Sequence, residues 1–186
     1  MQSVIGAVLL TTCRSACVLR MPVPPNGFSW VSDTVAGFAL PNSEENLDYL
    51  VNQAHILNLI TLNDEKPRHL EKFPSNIYSF LALKHYFYPV EEFMLGDLEM
   101  VREIVGIIAS AETRGEVGFV TTYRSGVHCQ FGQMRTGTIL AAYLAYHDKV
   151  DGKEAIRRLC KMRPRSLFSF ESEQVICEYA KSLKNS

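Results

Sequence analysis

Strands alternating with helices predict an α/β layer fold, a mostly parallel central sheet flanked by helices. Three observations carry this reading. Short runs rich in β-branched and aromatic residues alternate with segments of helical periodicity along the chain. The run Leu57 to Leu62, apolar apart from Asn58 and Thr61, reads as a strand. A length of 186 residues, 47% of them hydrophobic and 21% charged, with no internal repeat or linker, fits a single domain around one core.

Residues 1–25 stand apart. They hold no Asp or Glu, carry Arg14 and Arg20, and end in the Pro-rich stretch Met21 to Pro25, so a flexible extension is the expectation. The same cues support mitochondrial targeting as a minority reading of residues 1–20. The folded domain is expected over 26–186. Phe28 to Val31 and Val35 to Leu40 read as short strands. Pro41 to Glu45 reads as a helix start with Asn42 as N-cap and Glu45 three residues on, and Leu47, Leu50, Val51, Ala54 and Leu57 follow on one face.

After the Leu57 to Leu62 strand comes a polar loop around Asn63 to Ser75, then an aromatic β-type run from Ile77 to Tyr88. Asp97 to Ala111 carries Leu98, Val101, Ile104, Val105 and Ile108 at helical spacing and is closed by Arg114-Gly115. Glu116 to Tyr123 reads as a strand, Arg124-Ser-Gly126 as a turn, and Val127-His128 as a short strand end. Three helices follow: Arg135 to His147, Lys153 to Met162 and Glu171 to Leu183.

Composition removes several function classes. Nineteen basic against twenty acidic residues leave no global field for nucleic acid or an anionic membrane. No apolar run approaches the roughly 18–20 residues of a membrane span. The five cysteines are scattered without a C-x-x-C pair, which argues against a disulfide framework and a structural zinc site. No metal or other cofactor is expected. His55, His69, His85 and His147 have no ligand-like spacing.

Chemistry concentrates at Val127 to Thr138, where a strand gives way to an apolar helix. Such a junction aims backbone N–H groups and a helix N-terminus at one point, which suits a phosphate. Cys129 and Arg135, with five residues between them, can flank a loop wrapped around a tetrahedral dianion, held by the guanidinium fork. The same field lowers a thiol pKa, making Cys129 a nucleophile. A bare C-x5-R is a weak signal. His128 before the cysteine, Gly132 within the loop, and Thr136-Gly137 after the arginine make it specific.

At these residues the chain resembles the cysteine-based protein phosphatases, whose signature is H-C-x5-R-[S/T], and within them the small VH1-like dual-specificity phosphatases. The likeness extends from Gly27 to Lys184, through Gly27 to Val31, Ala36 to Pro41, Arg157-Arg-Leu159 and Met162-Arg-Pro164. It implies that Cys129 attacks phosphorus and that the backbone of Gln130, Phe131, Gly132, Gln133, Met134 and Arg135 holds the phosphate. Arg135 would stabilise the transition state, Thr136 would help the thiolate leave, and His128 would orient the loop. The partner implied is a phosphorylated protein; from composition and cysteine usage no nucleic acid or membrane is expected, whereas a cytoplasmic or nuclear location and a monomer are.

Three departures from the family pattern matter. Val90 stands where an ungapped match puts the family's general-acid Asp, so Glu92 is the first substitute, Glu91 the second, and Asp97 a further alternative that reads better as a helix N-cap. Met134 replaces a small residue before the arginine, and Phe119 to Ser125 reads as an insertion ahead of the nucleophile. The leading expectation is hydrolysis of phosphotyrosine, with phosphoserine and phosphothreonine as further substrates. The rivals are a phosphate-binding pseudophosphatase and a phosphatase for RNA 5′ ends or phosphoinositides; the loop lacks the basic residues the latter would want. A rhodanese-type transferase is disfavoured because its loop has a shorter cysteine-to-arginine spacing.

Overall fold

In the computed structural model, which describes residues 21–67, 83–91, 97–115 and 124–184, the elements alternate as the sequence predicts. They are β1 (Ser29–Trp30), β2 (Val35–Ala39), α1 (Glu44–Asp48, continued by a π-turn over Tyr49–Gln53), β3 (Ile56–Asn63), β4 (Lys84–Pro89), α2 (Leu98–Gly115), β5 (Arg124–Cys129), α3 (Met134–His147), α4 (Gly152–Met162) and α5 (Phe170–Ser182). The five-stranded sheet has the order β1-β2-β5-β3-β4, with β1 antiparallel and the other pairings parallel. β5, which delivers Cys129, is therefore central. All eight residues of β3 are buried, the polar Asn58, Thr61 and Asn63 among them, as in a strand covered on both faces.

One face of the sheet packs on α2 to α5, through Val101, Ile104, Ile108, Ile139, Leu140, Leu159 and Ile176 among others. On the other face, Ala36, Phe38, Ile56 and Leu59 of the strands pack against Leu47 of α1 and Leu50 of its π-turn. Helix α3 is buried from Arg135 to Ala145, which places it at the centre of the helical layer. Tyr143 on α3 donates to Glu112 of α2 at 2.6 Å and accepts from the Ser32 hydroxyl of the β1–β2 turn at 3.0 Å, fixing the helix that follows β5.

Two local expectations are corrected. The N-cap of α1 is Ser43, not Asn42: the Ser43 hydroxyl accepts from the Asn46 amide at 3.2 Å, while the Asn42 amide donates to the Asn46 side chain. Asn46, at the third helical position, does the reaching back that was expected of Glu45. Arg124-Ser-Gly126 is strand rather than turn, paired to both β2 and β3. Gly126 is there for packing: a Cβ would lie 2.7 Å from the Phe38 ring. Arg124 is held over the Trp30 ring, 5.0 Å from its centroid, and donates to the Ala54 carbonyl.

The expected strand 116–123, most of the 119–125 insertion, the 77–82 run and residues 1–20 lie outside the described residues. Within 21–25, Val23 exchanges hydrogen bonds with α1, donating to Glu45 and accepting from Asn46, so this stretch is attached to the domain. Among the described residues no helix is long and apolar enough to cross a membrane.

Candidate active site

Cys129 ends β5 and is 3% exposed, and the next four residues turn into α3. The turn depends on Gly132, whose φ of +67° is left-handed and whose hypothetical Cβ would sit 2.5 Å from the Phe38 carbonyl carbon and oxygen. Leu40 N–H donates to Gln130 O at 3.3 Å, fastening the loop to the end of β2, and Asn63 Nδ2 donates to the Gln130 side chain at 3.2 Å. Gln133, the N-cap of α3, makes no side-chain capping bond. The first N–H groups of that helix are thus left for an anion.

These groups act on the thiol. Burial pushes the Cys129 pKa up, but the Thr136 hydroxyl, the Thr136 amide, the Arg135 charge and the Gly132 amide together outweigh it and hold the thiol below its ordinary value. The Thr136 oxygen is fully buried, and its hydroxyl is among the groups that favour the thiolate of Cys129. A thiol favoured as thiolate, with amides and a cation around it, can attack an electrophilic phosphorus.

Arg135 lies in the first turn of α3 and is 5% exposed. Its Nη1 donates to the Val90 carbonyl at 2.7 Å and pairs with the Asp64 carboxylate. Val90, where the family acid was missing, thus contributes backbone to the site. It brings the 90–91 segment against Arg135, with Glu91 exposed just beyond. Glu92 lies outside the described residues. Asp97 is committed elsewhere, accepting from Glu99 N–H at 2.9 Å as the cap of α2. His128 is fully buried, its Nε2 2.7 Å from the Thr61 hydroxyl and its ring stacked on Phe38 at 5.6 Å between centroids. Of the remaining loop residues, Phe131 is 62% exposed at the rim, and Gln133 and Met134 are half-buried.

Two residues join the site that sequence reasoning missed. Asp64 is the first carboxylate beyond the C-terminal end of β3, and that end of a parallel strand is where α/β sheets place ligands. Its position there is the signal that could have found it. Arg163, which follows a helix with exposed Arg157 and Arg158, is itself only 7% exposed. It donates to the carbonyls of Gly27 (3.0 Å), Gly37 (2.5 Å) and Gly132 (2.9 Å) and to Ser29. Burial pushes its pKa down and the charge on Cys129 pushes it back. No carboxylate contacts it among the described residues. By contrast, Arg157 and Arg158 pair with Glu154 on the exposed face of α4.

A cleft of about 350 Å³ adjoins the loop, between Gly27-Phe28, Phe131, Gln133, Met162 and Arg165. No cluster of three metal-ligating side chains occurs among the described residues. Cys160 and Cys177 are free thiols away from the loop, and Cys13 and Cys17 lie outside the described residues.

A buried cysteine with a lowered pKa, amides around it and an arginine in the next helical turn form an arrangement that suits a phosphate ester. The family model described as the Swiss Army Knife protein, DSP-PTPase phosphatase domain, matches residues 25–176. The chain belongs to this phosphatase family. A Danio rerio protein, protein tyrosine phosphatase domain-containing protein 1, is 24% identical over 83% of this chain and 23% of its own length. The Arabidopsis thaliana phosphatidylglycerophosphate phosphatase PTPMT2 is 26% identical over 66% of this chain and 50% of its own length. The chain therefore spans half or less of these curated relatives. Among solved structures, PTPMT1 in complex with PI(5)P matches this phosphatase domain with a TM-score of 0.69 at 20% identity, covering 86% of this chain and 98% of that one. Human DUSP28 matches with a TM-score of 0.65 at 16% identity over 89% and 99%. At these identities the structural likeness establishes the fold alone.

Proposed function

We propose that the domain, residues 26–186, is a protein phosphatase that hydrolyses phosphotyrosine, and phosphoserine or phosphothreonine as well, through a cysteinyl-phosphate intermediate. The observation that carries it is the lowered thiol of Cys129, facing the amides of Gly132 and Thr136 with Arg135 beside it. The thiolate attacks phosphorus, an S–P bond forms, and the P–O bond to the substrate oxygen breaks. A protonated carboxylic acid hands its proton to that leaving oxygen. Water then attacks phosphorus, giving its proton to the same carboxylate, and the S–P bond breaks to release inorganic phosphate. The Thr136 hydroxyl stabilises the departing thiolate, while Arg135 and the loop amides carry the charge that gathers on the equatorial oxygens.

Glu92 is our first candidate for the acid, with Glu91 and Asp64 as alternatives; the approach of Val90 to Arg135 supports the 91–92 segment. The loop itself, from Gln130 to Met134, has no cationic side chain, which favours an aryl phosphate over a polyanionic headgroup. A second reading, a phosphate monoester carried on a lipid, is favoured by the likeness to PTPMT2 and to PTPMT1 with PI(5)P. Purified protein should hydrolyse an aryl phosphate between pH 5 and 8 well above a Cys129→Ser control, and equality with that control would overturn the enzymatic reading. Phosphotyrosyl peptides compared with phosphatidylinositol phosphates and phosphatidylglycerophosphate in mixed micelles then separate the two substrate classes.

A further inference from the structure

Three side chains on three adjacent strands form one hydrogen-bonded chain behind the nucleophile. His128 Nε2 on β5 is 2.7 Å from Thr61 Oγ1 on β3, and Thr61 Oγ1 is 2.8 Å from His85 Nε2 on β4. Thr61 and His128 are fully buried, whereas His85 is half-buried and forms the outer end. The Thr61 hydroxyl has these two hydrogen-bond partners and no third among the described residues. It carries a single proton, so it donates to one ring and must accept from the other; two lone pairs facing each other at these distances would repel. The protonation of the two Nε2 atoms is therefore opposite.

We propose that His85 is a positioning residue for the nucleophile, acting through Thr61 to set which nitrogen of His128 carries the proton. When His85 Nε2 donates to Thr61, Thr61 donates to His128 Nε2, and the His128 proton sits on Nδ1. Nδ1 is the ring nitrogen nearer the backbone that runs into Cys129, and it is fully buried. A donor there favours an anionic neighbour, and the opposite tautomer presents a lone pair that disfavours it. A turned-over ring would keep its stacking on Phe38 but put Cε1 in place of Nε2 against Thr61, so the 2.7 Å hydrogen bond holds the ring in this orientation. His128 sits beside Phe38 and Thr61 in the register of β2, β5 and β3, so its place is set by the sheet and its tautomer by the relay.

The inference uses the phosphatase reading only in taking Cys129 as the nucleophile, and its test needs no turnover. Side-chain ¹⁵N shifts report the His128 tautomer, and the pH dependence of Cys129 alkylation by iodoacetamide reports the thiolate. Wild type should show the proton on His128 Nδ1. His85→Phe and Thr61→Val should each move it to Nε2 and slow alkylation near neutral pH by about three- to tenfold, with the double variant no slower than either single one. Thr61→Ser, which keeps the hydroxyl, and His85→Gln, which keeps a donor at the Nε2 position, should both behave as wild type. These two also guard against misfolding as the cause, as does an unchanged thermal melt. An unaltered His128 tautomer in His85→Phe, or additive effects in the double variant, would overturn the relay. Absent phosphate hydrolysis in wild type would remove the phosphatase reading and leave this one standing.

Discussion

Arg163 donates through Nη2 to the carbonyl of Gly132 at 2.9 Å, tying a residue beyond α4 to the tightest point of the phosphate loop. Its Nη1 reaches Gly27 and Gly37, so one buried guanidinium holds the start of β1, the middle of β2 and the loop together. The cation has no carboxylate partner among the described residues, and the charge it interacts with is that on Cys129. Arg163 is thus both a brace and part of the field on the thiol.

Replacing it should separate those roles. Buried hydrogen bonds to a charged group are worth about 1.5–3 kcal/mol each, and Arg163→Met leaves several carbonyls without a donor. A loss of about 3 kcal/mol or more in a urea titration is expected, with a higher midpoint for Cys129 alkylation. Arg163→Lys keeps the charge but cannot fork to four acceptors. It should lose comparable stability while keeping the alkylation midpoint closer to wild type. Equal midpoints in wild type and the methionine variant would show that Arg163 does not act on the thiol.

The lowered pKa of Cys129 has a consequence for stability. Its folded value lies below the unfolded thiol value of about 8.5, so ionisation adds stability as the pH rises above the folded value, in full above the unfolded one. That part is lost as the pH falls through the folded pKa. Denaturation of wild type and Cys129→Ser across pH 5 to 9 should therefore show wild type gaining on the variant with rising pH. Thr136→Val, which removes the hydroxyl that favours the thiolate, should reduce the gain and raise the alkylation midpoint.

The residues that could be read from the sequence are those whose roles come from chain neighbours. His128, Cys129, Gly132, Arg135 and Thr136 lie within one strand-loop-helix turn, so spacing alone brings them together. Asp97 likewise announces itself by opening an apolar-periodic helix. Arg163 and Asp64 reach the site only through tertiary packing. In the sequence, Arg163 looks like one more member of the basic series that α4 exposes. What buries it is a set of backbone carbonyls on β1, β2 and the loop, which no spacing rule reveals. Arg124-Ser-Gly126 failed for a related reason: a turn-like composition is overridden when a glycine is needed to let Phe38 lie across the strand.

Gly132→Ala tests how far the loop conformation is fixed. Both the left-handed φ and the 2.5 Å approach to the Phe38 backbone oppose a methyl group, and neither obstacle is the flexible end of a side chain. The loop must shift, moving the Gly132 amide away from the sulfur. A loss of about 100-fold in kcat/KM is expected, with a stability loss of about 1–3 kcal/mol. An active variant with an unchanged melting temperature would show that the loop adapts.

The proton donor is the remaining assignment, and the pair Asp64–Arg135 makes it decidable. A general acid works only while protonated, so kcat falls as the pH rises through its pKa, opposite in sign to the rise caused by thiolate formation in kcat/KM. Asp64 is ion-paired to the buried Arg135, whereas Glu91 is exposed beside Val90. The Asp64 carboxylate already accepts from Arg135 Nη1, a placement that suits orienting the guanidinium. Asp64→Asn should therefore keep the falling limb and tighten inhibition by inorganic phosphate several-fold, because one negative charge leaves the pocket while an acceptor for Arg135 remains. Asp64→Ala should lower kcat by about tenfold through a freed Arg135. The falling limb should vanish in Glu92→Gln. Its loss in Glu91→Gln instead would move the role one residue back, and its loss in Asp64→Asn would make the arginine's partner the acid.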